Sequence, residues 1–169
     1  MNSELKNIKK LIVNQSLELD CGKIIKNFPL AYETYGTLNK NKDNAILAFH
    51  ALTGDQFCTN INPITKREGW WTFAIGPGKA IDTNKYFVIC ANVLGGCMGS
   101  YGPKEMNPET NNLFGTTFPV ITIRDMVRSQ KYLLDYLGIK KLLSIIGGSM
   151  GGMQVLQFAS LYPDLSHSA

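Results

Sequence analysis

A serine flanked by glycines, between two apolar segments, constrains the fold of this chain more than any other feature. Residues 142–153 read LLSIIGGSMGGM, so Ser149 has a glycine two positions before it and another two positions after it. The run LLSII is typical of a buried strand, and a helix is predicted from Met150 to Tyr162, ended by Pro163. The pattern therefore predicts a sharp strand-to-helix turn, in which a strained serine projects its hydroxyl from the end of the strand.

Ser149 is the predicted nucleophile of this turn. The helix that follows it would direct free N–H groups and the positive end of its dipole at the serine, so the Met150 backbone N–H is a predicted oxyanion donor. A second donor is expected from the loop that follows an earlier strand, where residues 50–54 read HALTG. Leu52 is the first choice and Thr53 the second. The alternative is a glycine-rich helix start that only packs closely on a strand, and the flanking strand and helix favour the nucleophile over it.

Neither of the two histidines is predicted to be a catalytic base. In this kind of fold the base follows the nucleophile, whereas His50 precedes it. We interpret His50 as a structural residue that shapes its loop. His167 follows Ser149 too closely to leave room for further strands and is predicted to lie at the surface. Asp164 is assigned to the end of the second helix.

The other apolar segments predict the rest of a sheet. Two runs that alternate apolar with polar residues, Leu11–Asp20 and Asn27–Tyr35, are predicted strands. Two continuously apolar runs, Ala45–Phe49 and Tyr86–Ala91, are typical of strands covered on both faces. Strands that alternate with crossover helices predict a mainly parallel α/β sheet.

A long helix is predicted before the strand that leads to Ser149. Thr122 is its expected N-cap, Asp125 completes a capping box, and Gly138 ends it. Its predicted inner face is apolar except for Gln130. The preceding segment, Val93–Pro119, is long and lacks periodicity, so it is either a functional loop or a surface excursion.

Length and composition fit one globular domain. The chain has 169 residues, of which 44% are hydrophobic and 18% charged, which excludes an intrinsically disordered chain. Its net charge of +4 comes without a block of Lys or Arg, so no nucleic-acid partner is expected. Neither a secretory leader nor a membrane-spanning apolar stretch of ~20 residues is predicted from the sequence. We therefore expect no membrane association and a cytoplasmic location.

No metal or bound cofactor is predicted. The cysteines form no CxxC pair and show no zinc-like spacing with the histidines, so we expect free, non-catalytic thiols at Cys21, Cys58, Cys90 and Cys97. The glycine-rich segments 76–78 and 95–100 lack the further residues of a dinucleotide or phosphate-binding loop. Nucleotide binding is therefore not indicated.

Motifs along most of the chain resemble the homoserine O-acyltransferases of the α/β-hydrolase superfamily, in particular the acetyltransferases. The resemblance covers nearly everything from Leu11 to Asp164. Gly-x-Ser-x-Gly alone would indicate only the superfamily, whereas the combination and order of the motifs are more specific. The motifs are HALTGD (50–55), GWW (69–71), GPGKAIDT (76–83), YFVICANVLGGCMGS (86–100), FPVITIRDMV (118–127) and GGSMGGMQ (147–154).

The resemblance implies an acyl transfer in methionine biosynthesis. Ser149 would attack the thioester of acetyl-CoA to give an acyl-serine, and the hydroxyl of L-homoserine would then accept the acetyl group. Both partners are small molecules, and acetyl-CoA is a substrate rather than a bound cofactor. The resemblance also allows a homodimer.

The chain departs from this family in its extent. The family's catalytic Asp and His follow the nucleophile elbow, as does a helical lid, and none has a counterpart within residues 1–169. We therefore predict a single, incomplete α/β-hydrolase domain, truncated after the elbow helix, with little or no activity of its own. The strand before Ser149 would lie at an open sheet edge. Three alternatives stay open: a succinyl-CoA donor, a serine hydrolase or esterase, and a non-catalytic fragment that needs a partner chain.

Overall fold

A five-stranded mixed sheet forms the centre of the molecule, which a computed structural model describes over residues 8–169. The strands are β1 (Lys10–Val13), β2 (Leu17–Glu18), β3 (Ile24–Ile25), β4 (Phe28–Tyr35), β5 (Ala45–Phe49), β6 (Ile75–Gly76), β7 (Ile81–Asp82), β8 (Phe87–Ala91) and β9 (Ser144–Gly147). The helices are α1 (Ile123–Leu137) and α2 (Met150–Leu161), with short 3-10 turns at Gly115–Thr117 and Pro163–Leu165.

The sheet is only half parallel. Its order is β1-β4-β8-β5-β9, in which β8 and β9 flank β5 in parallel, while β4 runs antiparallel to both β1 and β8. The expectation of a mainly parallel sheet holds for the half that carries Ser149 and is wrong for the other half. Antiparallel neighbours need no crossover helix, and the segment between β1 and β4 contains only the small β2–β3 pair.

The predicted strands are found with one exception. Leu11–Asp20 is not a single strand but is divided into β1 and β2, because the polar residues 14–16 (Asn-Gln-Ser) interrupt it. The run at 142–146 forms β9, which begins two residues later than predicted, at Ser144.

Both predicted helices are confirmed. At the start of α1, Thr122 Oγ1 accepts a hydrogen bond from the Asp125 N–H (3.1 Å), and Asp125 Oδ2 accepts one from the Thr122 N–H (3.0 Å), which is the expected capping box. Gly138 ends the helix in the left-handed conformation, with φ of 69°. The second helix, α2, starts at Met150 and ends at Leu161, ahead of Pro163.

Apolar residues cover both faces of the two central strands. On one face, Leu47 and Phe49 of β5 pack in the same cluster as Leu133 of α1 and Phe158 of α2. On the other face, Ala48 lies in a second cluster that the segment between β5 and β8 covers. Every residue of β5 and β8 is buried, so the carboxyl ends of these strands are held rigidly where the functional loops begin.

The outer edge of β9 is partly covered. The Leu142 N–H donates to the Leu165 carbonyl (2.7 Å), and the Ile145 N–H donates to the Ser168 carbonyl (3.0 Å). The expected open edge is therefore reduced, because the segment 165–168 runs alongside β9.

Candidate active site

Ser149 lies in the turn that the sequence predicts, between the end of β9 and the start of α2. Its backbone has φ of 57° and ψ of −125°, a strained conformation for a residue with a side chain. The residue is exposed, and its side chain makes no capping hydrogen bond to the helix. The hydroxyl is thus presented to solvent beside the N-terminus of α2, as a nucleophile requires.

The flanking glycines are required by close backbone contacts. A Cβ on Gly151 would collide with the carbonyl oxygen of Phe49 in β5, and a Cβ on Gly147 would collide with the carbonyl oxygen of Gly151. The missing side chains let α2 pack directly on the ends of β5 and β9. This packing fixes the position of Ser149.

Ser149 stands beside a cleft of about 440 Å³, here called the elbow cleft, whose lining includes Met150, the neighbour of Ser149. The lining also includes His50, Leu52, Val93, Leu94, Gly95, Gly96, Cys97, Phe118, Ile121 and Met126. Within residues 8–169, neither the Leu52 nor the Met150 backbone N–H donates to a protein acceptor. Thr53 lines a different cavity, together with Asp55 and Trp70. The arrangement therefore favours Leu52 over Thr53 as the second oxyanion donor, which stays a prediction.

His50 is buried, and both of its ring nitrogens are engaged. Nδ1 lies 2.7 Å from the Ala51 carbonyl oxygen, and Nε2 accepts a hydrogen bond from the Val93 N–H at 3.1 Å. Burial lowers the pKa of His50, an effect that outweighs the opposing influence of the Ala51 carbonyl and of Asp55. A neutral ring with no free nitrogen cannot serve as the base for Ser149, which agrees with the structural role expected for His50.

Two buried glutamines attach the His50 backbone to the helices α1 and α2. Gln154 of α2 donates from Nε2 to the His50 carbonyl oxygen (3.3 Å), and its Oε1 accepts a hydrogen bond from Gln130 Nε2 of α1 (2.9 Å). Neither glutamine was predicted from the sequence to belong to the site. The signal available was Gln130, the one polar residue on the predicted inner face of its helix.

The long segment after β8 supplies the facing wall of the elbow cleft. Asn92 anchors this wall: its Oδ1 accepts a hydrogen bond from the Met98 N–H (3.1 Å), and its carbonyl accepts one from Ser100 Oγ (2.6 Å). The side chains of Asn92 and Ser100 are buried. Of the two interpretations left open for Val93–Pro119, a functional loop therefore fits its first residues.

Apolar groups dominate the elbow cleft. Leu94, Phe118, Ile121 and Met126 contribute to its lining, and no Lys or Arg occurs among the described lining residues. A small uncharged group would be accommodated without the burial of an unpaired charge.

The described part of the chain places no acid–base partner on Ser149. His167 is exposed, and its backbone N–H donates to the carbonyl of Leu142, which lies just before β9 and therefore away from the strand end that leads to Ser149. Asp164 lies in the exposed 3-10 turn after α2. Across residues 8–169, no His, Asp or Glu side chain is hydrogen-bonded to Ser149.

The cysteines are free thiols. Cys58 and Cys90 are buried, and burial raises the pKa of Cys90, with a further contribution from neighbouring Cys58. Cys97 is exposed and lines the elbow cleft. In residues 8–169 there is no cluster of three His, Cys, Asp or Glu able to hold a metal, and neither helix described there is long and apolar enough to cross a membrane.

Comparison with known sequences identifies a fold family and similar relatives. The alpha/beta hydrolase fold family matches residues 44–168. The homoserine O-acetyltransferase of Pelagibacter ubique is 68% identical over 158 residues, covering 94% of this chain and 42% of the relative. That of Nitrobacter hamburgensis is 58% identical over 156 residues, covering 92% and 39%. The chain thus spans about two-fifths of the length of these curated relatives.

Solved structures of a homoserine O-acetyltransferase and of an esterase are similar to this chain. The homoserine O-acetyltransferase from Bacillus anthracis matches with a TM-score of 0.86 and 37% identity, covering 94% of this chain and 44% of that structure. Esterase E22 matches with a TM-score of 0.84 and 38% identity, covering 96% and 46%. These findings confirm the resemblance to homoserine O-acetyltransferases, and the chain belongs to the α/β-hydrolase fold family.

Proposed function

We propose that this chain supplies the nucleophile and the oxyanion donors of an acyltransferase that moves an acetyl group from acetyl-CoA to the hydroxyl of L-homoserine. The observation that carries the proposal is the strained, exposed Ser149 at the N-terminus of α2, beside the elbow cleft, in a chain 68% identical to a homoserine O-acetyltransferase. A role in methionine biosynthesis, a cytoplasmic location and a homodimer are expectations of the same proposal.

The geometry supports a two-step reaction. Ser149 Oγ loses its proton to a base and attacks the thioester carbonyl, and the N–H groups of Met150 and Leu52 stabilise the oxyanion that forms. Coenzyme A leaves as its thiol, and an acyl-serine remains. The homoserine hydroxyl then attacks this ester, which releases O-acetylhomoserine and restores Ser149. Loss of either donor would cost about 3–4 kcal/mol of transition-state stabilisation.

The base must come from residues other than those described. His50 is neutral and has both ring nitrogens engaged, and His167 lies at the far end of β9. In the family that the chain resembles, the Asp and His follow the elbow. The proposal therefore assigns one part of a catalytic site to this chain.

An acetyl donor is favoured over a succinyl donor by the lining of the elbow cleft. The distal carboxylate of a succinyl group would enter an apolar site in which no described Lys or Arg pairs with it. Burial of an unpaired carboxylate carries a large desolvation cost. An acetyl group has no such charge.

Ester hydrolysis is the second candidate, and the similarity to esterase E22 favours it. The same acyl-serine would form, and water would replace homoserine as acceptor. The two functions differ in whether acyl turnover depends on homoserine.

The test is a chimera in which this chain is joined to the segment of the Pelagibacter ubique relative that follows the matched region. We expect coenzyme A release from acetyl-CoA that depends on homoserine, is faster than release from succinyl-CoA, and disappears in Ser149→Ala. Release that is independent of homoserine, with turnover of simple esters, would support the hydrolase instead. A folded chimera with neither activity would favour a non-catalytic fragment.

A further inference from the structure

His50 connects three segments around the elbow cleft: its own loop at 50–54, the facing wall at 93–97 and the helix α2. Its ring accepts a hydrogen bond from the Val93 N–H (3.1 Å), at the start of the facing wall, and its carbonyl accepts one from Gln154 of α2 (3.3 Å). Leu52, the predicted oxyanion donor, lies two residues further along the chain. His50 therefore connects the loop that carries Leu52 to the helix that begins at Met150.

The hydrogen-bond partners define the proton position on the ring. The Ala51 carbonyl can only accept, so Nδ1 must carry the hydrogen of the 2.7 Å contact. The Val93 N–H can only donate, so Nε2 must be unprotonated. Asn92 Nδ2, another donor group, lies 3.4 Å from the same nitrogen. Only the neutral Nδ1–H tautomer satisfies all three neighbours.

The surroundings disfavour the charged ring. A proton on Nε2 would face the Val93 N–H in a buried site, so two donors would oppose each other. Asp55, which directly follows the loop at 50–54, favours the charged ring. Cys97 of the facing wall lines the cleft, and α2 contains no charged residue.

We propose that His50 is a positioning residue which, as the neutral Nδ1–H tautomer, fixes the loop at 50–54 to the facing wall at 93–97 and so keeps the Leu52 N–H directed at the oxyanion. The catalytic consequence rests on the proposed function. The attachment of the loop at 50–54 to the facing wall at 93–97 does not rest on the proposed function. This attachment can be measured in the chain alone.

Nitrogen-15 NMR of the ring tests the tautomer directly. The chain has two histidines, so His167→Gln leaves only His50 to observe. We expect the shifts of an Nδ1–H tautomer, and protonation of the folded protein only below the ordinary histidine pKa, because burial lowers the pKa of His50. The Nε2–H tautomer, or titration near pH 6.5, would overturn the proposal.

Two substitutions separate positioning from simple packing. The amide of Gln reaches the place of Nε2 and that of Asn the place of Nδ1, so His50→Gln retains an acceptor for Val93 and His50→Asn does not. Hydrogen exchange at the Val93 amide should accelerate roughly fivefold or more in His50→Asn and much less in His50→Gln. Equal acceleration in both would contradict the proposal. If neither variant folds, the tautomer measured in the His167→Gln protein still decides it.

The chimera links positioning to catalysis. There, His50→Asn should lower kcat with little change in KM for acetyl-CoA, and His50→Gln should recover part of kcat. A chimera without acyltransferase activity would refute the proposed function and leave the tautomer and exchange results as the test of positioning. An active chimera in which His50→Asn has wild-type kcat would refute the catalytic consequence.

Discussion

Gly151 shows how tightly the elbow is built. A Cβ at this position would collide with the Phe49 carbonyl, whereas a Cβ on the adjacent Gly152 would lie at an ordinary 3.5 Å from the Gly147 carbonyl oxygen. Both glycines are in α2, but only Gly151 faces β5. Two neighbouring glycines in one motif therefore have different roles.

Gly151→Ala should destabilise the protein by about 1–3 kcal/mol, because the added methyl group forces α2 away from β5. Gly152→Ala is the matched control and should stabilise the protein by about 0.5–1 kcal/mol, since alanine is the better helix former. Urea unfolding monitored by circular dichroism measures both changes. Equal effects of the two substitutions would show that close packing on β5 is not what selects glycine at 151.

Among individual residues, the sequence predicted those whose role follows from a motif of neighbouring residues. Ser149 and Met150 are defined by one motif between a strand and a helix. The Gln154–Gln130 pair was missed as part of the site because its role depends on how α1 packs against α2 and the loop at His50. Such contacts between distant segments leave little trace in local patterns.

A cluster of polar side chains secures the N-terminus of α1. Asp125 is buried and accepts hydrogen bonds from the backbone N–H groups of Thr122 and Asp20. Arg128 forms ion pairs with the carboxylates of Asp125 and Asp20. Burial alone would raise the pKa of Asp125, but these donors outweigh it, and the pKa lies below its ordinary value of 3.8. The cluster attaches the segment after β2 to α1.

Asp125 should make stability depend on pH in acid. Its pKa is lower in the folded than in the unfolded chain, so the unfolded chain binds more protons between the two values. The stabilisation is present above the unfolded pKa and is lost as pH falls through the folded pKa. Asp125→Asn should therefore be less stable at pH 7 and lose less stability between pH 5 and pH 2. Urea unfolding across this range measures the difference.

Asp135→Asn is the control for that experiment, since Asp135 lies on the same helix but is half-exposed and, among residues 8–169, forms its ion pair with Lys131 alone. It should retain the acid dependence of the wild-type protein. Identical pH profiles for the two variants would contradict the assignment to Asp125.

Elements with strong local signals were predicted well. The helix α1 has a capping residue, an apolar face and a terminal glycine, and its predicted ends are the observed ones. The antiparallel half of the sheet was not predicted, because strand direction depends on which strands become neighbours. For β4, that pairing is with β8, more than 50 residues further along the chain.

The helix α2 has apolar residues on its outer side as well. Met153 is 58% exposed and Leu156 is 74% exposed, although the helix packs its other side on the sheet. A helix that is apolar all round is typically covered on all sides. In the chain alone this face meets water.

We expect the chain to self-associate through this face. Met153→Glu with Leu156→Glu should shift the protein toward monomer in light scattering, with little loss of folding stability because both side chains are exposed. Val120→Glu, a change at a residue 72% exposed elsewhere on the surface, should leave association unchanged. If the double variant and Val120→Glu reduce association alike, association depends on net charge rather than on this face.

The chain alone should show almost no Ser149 chemistry. Serine is a weak nucleophile without a base, and loss of a triad base can lower turnover about a million-fold. Hydrolysis of an activated acetyl ester by the 169-residue chain should therefore equal that of its Ser149→Ala variant. Faster hydrolysis by the unsubstituted chain would show that a described residue serves as the base.

The central claim is that Ser149 carries the acyl group. Its most direct test is the intact mass of the chimera after it is mixed with acetyl-CoA in the absence of homoserine. We predict one added acetyl group, located on the peptide that contains Ser149 and removed when homoserine is supplied. The Ser149→Ala chimera and the isolated chain should stay unmodified. A chimera that turns over acetyl-CoA without acetylation of Ser149, or one in which Ser149→Ala is acetylated equally, would contradict the account.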